Sequence, residues 1–188
     1  MRKRFPLSTR RAYELMVAEG YDLSKDTSRP QVPELFGVIS DLGLWHRGTV
    51  NLDLGGGRYD KGTKYLSRRG VTNLILDPGN RPADYTLWVL DEIEAHGCDT
   101  VTCCNLLNVL PLPEDRAAVV RTAWDALPDG APAYFSVYAG GKRGWRVKNG
   151  KRSWQEGRKL VTYMPEISPP FTVPLDKPYR DIIMAIKL

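Results

Sequence analysis

The segment Val50-Asn51-Leu52-Asp53-Leu54-Gly55-Gly56-Gly57-Arg58-Tyr59-Asp60 constrains this chain more than any other. A short apolar run enters three glycines and leaves as a helical pattern reaching about Arg69. Glycine there frees the backbone for positive φ and for close approach to a ligand, and the helix start supplies unpaired N–H donors. Gly70 ends the helix; Asn73-Leu74-Ile75-Leu76-Asp77 then reads as a second strand, broken by Pro78-Gly79-Asn80. Strand, glycine turn, helix and strand form a βαβ unit, which requires parallel strands.

The rest of the 188 residues continues the alternation. Helices are expected over residues 9–19, with Ser8 as N-cap, over 33–44, over 83–96 and over 113–127, where Pro113, Glu114 and Asp115 suit a first turn. Strands are expected near 100–106 and 133–138, and a last one over 181–186. A polar link covers residues 21–29, and residues 139–160 read as a long loop rich in glycine and lysine. The length suits one core, so the expected division is a basic N-terminal helical arm, 1–32, and an α/β domain, 33–188.

Composition removes several classes. No run approaches the roughly 18 apolar residues of a membrane span. The basic start Met1-Arg2-Lys3-Arg4 is followed by Ser8-Thr9-Arg10-Arg11 rather than an apolar stretch, so no secretory signal is expected. Cys98, Cys103 and Cys104 form no CxxC pair, and His46 and His96 are the only histidines, so a reducing cytoplasmic setting and no metal site are expected.

The glycine turn is neither of the common phosphate-binding types. After Gly55-x-Gly57 the third glycine of a dinucleotide turn is replaced by Asp60, and there is no Gly-Lys-Ser/Thr. What remains is Asp53 before the glycines and Asp77 at the end of the next strand. A carboxylate in the position of Asp77 can accept both hydroxyls of a ribose. Asp53 would repel phosphate but suits a ligand bearing an ammonium or sulfonium group. The structural alternatives are that Asp53 caps the turn and Asp77 starts the bend at Pro78.

Leu52-Asp53-Leu54-Gly55-Gly56-Gly57 and Leu76-Asp77 resemble motif I and the second-strand acid of the class I S-adenosylmethionine-dependent methyltransferases. Residues 100–110, the long helix after them and Pro128-Asp129-Gly130 resemble that family's fourth strand, next helix and approach to the fifth strand. More narrowly, residues 56–63, 105–109 and Ser153-Trp154-Gln155 are similar to small methyltransferase-like proteins encoded by bacteriophages or associated with DNA phosphorothioation. The resemblance covers about residues 33–138. It implies a compact variant of the Rossmann-like three-layer α/β sandwich with a mostly parallel sheet and an N-terminal helical arm that could fold over the ligand. It implies S-adenosylmethionine as cofactor, with Gly55, Gly56 and Gly57 along its methionine part, Asp77 and Pro78 at the ribose, and Asp53 orienting the loop or amino group. Only one helix fits between Asp77 and Thr100, where the family has a further strand with an adenine-binding acid. Asp99 is a candidate for that contact only in a shortened sheet, and otherwise a loop residue.

Ligands of parallel sheets bind at the carboxyl ends of strands, which selects Asn105 to touch the cofactor and Asn108 as the catalytic-site group that holds the acceptor, or either as a cap for the connection that follows. Cys103 and Cys104 alternate in an apolar strand and are read as interior rather than nucleophilic. Thirteen of the 27 basic residues and one of the 22 acidic ones lie in residues 1–12 and 139–160, leaving 14 against 21 elsewhere. Lys142, Arg143, Trp145, Arg146 and Trp154 therefore form the expected substrate-binding set, able to follow a phosphate backbone and stack a base. The expected function is methyl transfer to an unknown acceptor, with nucleic acid or another anionic substrate favoured. The alternatives are a nucleic-acid-binding accessory protein on a degenerate scaffold and an enzyme that cleaves S-adenosylmethionine.

Overall fold

The computed structural model describes residues 6–19, 29–140, 143–148, 151–174 and 181–188. Residues 1–5, nearly all of the expected link at 21–29, and Lys142 lie outside the described residues. In chain order the elements are α1 (Leu7–Glu19), α2 (Glu34–Asp41), β1 (Val50–Leu54), α3 (Lys61–Ser67), β2 (Thr72–Leu76), α4 (Ala83–His96), β3 (Thr100–Cys104), α5 (Pro113–Ala126) and β4 (Pro132–Ser136). They continue with β5 (Gly144–Lys148), β6 (Lys151–Gln155), α6 (Met164–Ile167), β7 (Phe171–Thr172) and β8 (Ile183–Lys187).

One sheet has the order β2-β1-β3-β4-β8-β7. The strands β2, β1, β3 and β4 run parallel, and β8 and β7 pair antiparallel at the far edge. From β1 the chain moves outward to β2, then returns past β1 to β3. That reversal opens a crevice at the carboxyl ends of β1 and β3, where ligands of such sheets bind. Between β2 and β3 lies one helix and no strand, so the sheet is shortened and β2 is its edge.

Strand alternation assigns the two faces. Leu52, Leu54, Leu74, Leu76, Val101, Cys103, Ala133 and Phe135 pack with Val89, Leu90 and Ile93 of α4, Val120 and Ala123 of α5 and Tyr13 of α1. On the other face Leu35, Phe36 and Ile39 of α2 and Leu66 of α3 meet Tyr134 and Ile182. An eight-residue helix such as α2 is marginal alone, and burying those three side chains contributes several kcal/mol, at about 2 kcal/mol each.

Ser8 is not the cap of α1. The helix begins at Leu7, and the N–H groups of Thr9 and Arg10 donate to Pro6 O at 3.0 and 3.1 Å. The arm lies against α4 and α5: Arg10 pairs with Asp91 (2.7 Å) and Glu94 (2.8 Å), and Thr9 Oγ1 donates to Asp125. The C-terminus of α5 is closed by Lys187, 1% exposed, whose Nζ donates to Trp124 O (2.7 Å) and Leu127 O (2.5 Å) where the helix dipole favours a cation. Residues 144–155 are not a loop but an antiparallel hairpin, with Trp145 opposite Trp154 and their rings edge to face at 5.6 Å. Among the described residues, no helix is long and apolar enough to cross a membrane, and no group of three or more His, Cys, Asp or Glu side chains could hold a metal ion.

Candidate functional site

The glycine turn leaves β1 with Gly55 and Gly57 at φ of 68° and 77°, the left-handed region that glycine enters without strain. Gly55 N–H donates to Leu76 O at 3.0 Å, and Gly57 N–H donates to Asp77 Oδ2 at 2.8 Å. Asp77 therefore clamps the turn to the end of β2. Asn80 Nδ2 reaches both Asp77 oxygens at 3.1 Å, and Arg81 Nε donates to Gly57 O at 2.7 Å. Asp77 is 4% exposed, and its carboxyl is pushed up by burial against the opposing pull of Asn80 and the Gly57 N–H.

Asp53 sits one step below the turn, at the end of a buried polar ladder that crosses the sheet face. Thr100 Oγ1 donates to Asn51 Oδ1, Asn51 Nδ2 to Asn73 Oδ1 and Thr102 Oγ1, and Thr102 Oγ1 to Asp53 Oδ1 at 3.0 Å. Burial raises the Asp53 carboxyl to about 7; hydrogen bonds from Thr102 and Asn73 oppose this and the Asp77 charge adds to it. A folded-state pKa above the ordinary 3.8 means the native state keeps a proton that the unfolded chain has released. Stability is then full below about pH 4 and falls as pH rises to about 7, by about 4 kcal/mol for this group. Asp53→Asn is expected to remove that decline. Urea unfolding of both proteins at pH 5 and pH 8 should show the variant gaining on the parent by a few kcal/mol, and parallel pH profiles would contradict the assignment.

The opposite wall comes from the end of β3. Asn105 has φ 56°, uncommon for a residue with a side chain, and is exposed to the crevice. Asn108 lies on the following turn, 1% exposed, and its Oδ1 has no hydrogen-bond partner among the described residues. Its carbonyl accepts the Glu156 N–H at 2.7 Å, which ties the hairpin to this turn. A buried charge network supports the junction. Arg116 donates to Leu110 O (2.9 Å) and Glu166 (2.6 Å) and lies 3.8 Å from Glu156, while Arg158 pairs with Glu166 and Glu156 and stacks over Tyr163. Burial pushes the Glu166 carboxyl up, but Arg116 and Arg158 hold it below the usual range.

Turn, strand end and hairpin enclose a cleft of ≈ 1250 Å³ that also takes in residues 29–38 ahead of β1. No family profile and no curated protein matches the chain. Solved structures do. A 1,6-didemethyltoxoflavin-N1-methyltransferase from Burkholderia thailandensis, with S-adenosylhomocysteine bound, superimposes with a TM-score of 0.54 at 18% identity over 96% of this chain and 88% of that one. The chain has a Rossmann-like methyltransferase fold. A TehB-like S-adenosylmethionine-dependent methyltransferase from Corynebacterium glutamicum gives 0.50 at 16% identity over 96% and 95%, and DesVI of Streptomyces venezuelae gives 0.52 at 8% over 95% and 98%.

Within this methyltransferase fold, Asp53, Gly55, Gly56, Gly57, Asn105 and Asn108 line the cleft, whereas Pro78 does not, and nor does Asp77, which is bonded to Asn80, a residue that does line it. The sheet is shortened as Asp99 would need, yet Asp99 Oδ2 accepts the Val50 N–H at the amino end of β1, away from the cleft. Cys103 is fully buried and Cys104, which accepts from Ser136 Oγ, has its thiol pushed up to about 11 by burial, so neither is an activated nucleophile. On the hairpin, Arg146 and Trp154 line the cleft, while Trp145 is 45% exposed and the Arg143 side chain is 71% exposed beside Glu156. Sequence reasoning missed Asn80, the polar ladder and the hairpin. Asn149-Gly150, set between two strand-length segments, is the sequence signal that marks the hairpin.

Proposed function

We propose that this protein is an S-adenosylmethionine-dependent methyltransferase, with the cofactor along Gly55–Gly57 and the acceptor between the end of β3 and the hairpin. The observation that carries this reading is the glycine turn, a backbone cradle at the sheet's reversal point with Asp77 clamped behind it. The residues fit the cofactor. A Cβ on Gly55 would fill space against Leu106 (2.8 Å), and one on Gly56 would strike Asp53 (2.4 Å), so both positions keep the cradle open. When bound, S-adenosylmethionine supplies an activated methyl group on a sulfonium. Asp53 places negative charge beneath a cationic ligand, so affinity should strengthen as pH rises to about 7. Asp77 acts on the ribose side through Asn80, which covers it and lines the cleft, and through the turn whose Gly57 N–H it grips. Methyl transfer depends chiefly on alignment, and Asn105 and Asn108 supply it from the β3 end.

Calorimetric titration with S-adenosylmethionine and S-adenosylhomocysteine is expected to show both binding, at least roughly tenfold more weakly in Asp77→Ala. No binding of either at millimolar concentration overturns the reading. Incubation with a methyl-labelled donor and fractions of DNA, RNA, protein and metabolites identifies the acceptor; donor consumed without any fraction added points to cleavage instead. The exposed Arg143, Trp145 and Arg146 support nucleic acid as the second reading of the acceptor. The likeness of residues 56–63, 105–109 and 153–155 to bacteriophage and phosphorothioation-associated proteins points the same way.

A further inference from the structure

Both carboxylate oxygens of Asp77 are already bonded within the chain. Oδ2 accepts the Gly57 N–H at 2.8 Å, and Asn80 Nδ2 lies 3.1 Å from Oδ1 and 3.1 Å from Oδ2. The acid is 4% exposed and does not line the cleft, although both residues that bond it, Gly57 and Asn80, do. Asp77 is thus held by two parts of the cleft wall, one a main-chain N–H and the other a side-chain amide. An amide that spans both oxygens of a carboxylate makes the contact that a ribose makes with its two hydroxyls, since each brings donors to both oxygens.

The two wall groups are held differently. The glycine turn is pinned on both sides: Gly55 N–H donates to Leu76 O at 3.0 Å, Arg81 Nε donates to Gly57 O at 2.7 Å, and Arg81 Nη1 donates to Asp60 Oδ1 at 2.8 Å. Asn80 stands in the turn between β2 and α4, which main-chain bonds close, from Asn80 N–H and Arg81 N–H to Asp77 O at 3.1 and 2.9 Å. Moving the amide off Asp77 therefore needs a side-chain rotation alone, whereas the Gly57 N–H cannot leave without shifting the glycine turn. We infer that Asn80 is a specificity-determining residue of the cofactor site: its amide holds the place on Asp77 that the ribose diol takes, and the diol binds by displacing it. This rests on the S-adenosylmethionine reading. The diol gains only the difference between its own bonds to Asp77 and those of the amide, so the site discriminates weakly between ribose and deoxyribose. Burial pushes the Asp77 carboxyl up and Asn80 is the largest opposing influence, so an acid stripped of this amide has most to gain from ribose hydroxyls.

The test is a cycle of calorimetric titrations, S-adenosylhomocysteine against its 2′,3′-dideoxy analogue, in the parent and in Asn80→Ala. The parent is expected to prefer the diol by no more than about threefold, and Asn80→Ala by roughly tenfold or more, because S-adenosylhomocysteine tightens while the analogue does not. Asp77→Asn added to Asn80→Ala should remove most of that preference. Asn80→Gly serves if the alanine variant does not fold, since the main-chain bonds of the turn do not need the side chain. A preference equal in parent and Asn80→Ala assigns Asn80 a structural role, and one that falls in Asn80→Ala makes Asn80 itself the ribose contact; either overturns the inference while leaving the cofactor reading standing. If S-adenosylhomocysteine binds neither the parent nor the variants at millimolar concentration, the cofactor reading and the inference fall together.

Discussion

Gly56→Ala is expected to lower the affinity for S-adenosylhomocysteine by about two orders of magnitude, close to 3 kcal/mol, measured by calorimetry. Gly56 does not have positive φ, so the effect comes from space rather than backbone strain. A Cβ there would lie 2.4 Å from Asp53 Oδ2, 2.9 Å from its Cγ and 3.0 Å from Ile75 Cγ2. Asp53 cannot retreat, because it is 2% exposed within β1 and held by Thr102. The turn must move instead, and with it the Gly57 N–H that Asp77 grips. Overpacking of this kind also costs about 1–3 kcal/mol of stability. Gly37→Ala in α2, where a Cβ meets nothing within 4 Å, is the control and should leave both quantities near the parent or slightly improved. Unchanged affinity in Gly56→Ala would mean that the turn does not carry the cofactor.

Arg116→Met is expected to cost about 3–5 kcal/mol, the range for removing one partner of a buried ion pair. The guanidinium serves three elements at once: the Leu110 and Pro111 carbonyls after the Asn108 turn, Glu166 of α6, and Glu156 at the hairpin base. Its loss leaves Glu156 and Glu166 with only Arg143 and Arg158 as the described ion-pair partners, and Arg143 is largely exposed. Glu166 has its pKa held down by these arginines, so its stabilisation is present above the ordinary carboxylate pKa and is lost as pH falls through the lowered one. Arg116→Met should flatten that acid limb as well as lower the denaturation midpoint. Acceptor turnover should fall more than cofactor affinity, because the network braces Asn108 and the hairpin rather than the glycine turn. A variant as stable as the parent at pH 7 would assign the network no structural weight.

The βαβ unit around Gly55–Gly57 was legible because its information is local: apolar alternation, three glycines and a second apolar run sit within 30 residues. The helices α4 and α5 were legible for the same reason, from apolar periodicity bounded by Gly97 and by Pro113. Ser8 misled because the chain entered its helix two residues earlier, at Leu7, with Pro6 O receiving the first N–H groups. The hairpin escaped because the glycine and lysine content of residues 139–160 reads as a loop and Lys-Arg-Ser-Trp-Gln has one apolar residue, although Trp145 and Val147 alternate with Arg146 and Lys148. Asn149-Gly150 is its local signal, whereas its attachment to the sheet comes from Glu156 meeting Asn108, a contact that no local pattern encodes.

The glycine turn and the two acids flanking it were determined by the sequence alone, since φ above zero and close backbone approach are properties of glycine itself. Which acid lines the cleft was decided only by the tertiary structure. Strand register turned Asp53 into the polar ladder beneath the cleft and set Asp77 against Asn80, and those surroundings, not the residue type, determine each carboxyl's charge. Likewise the sequence showed a basic, tryptophan-bearing segment, while folding turned the Arg143 charge outward and one indole N–H inward. Burial removes water as the default partner, so what a polar group pairs with is decided only once the fold has closed around it.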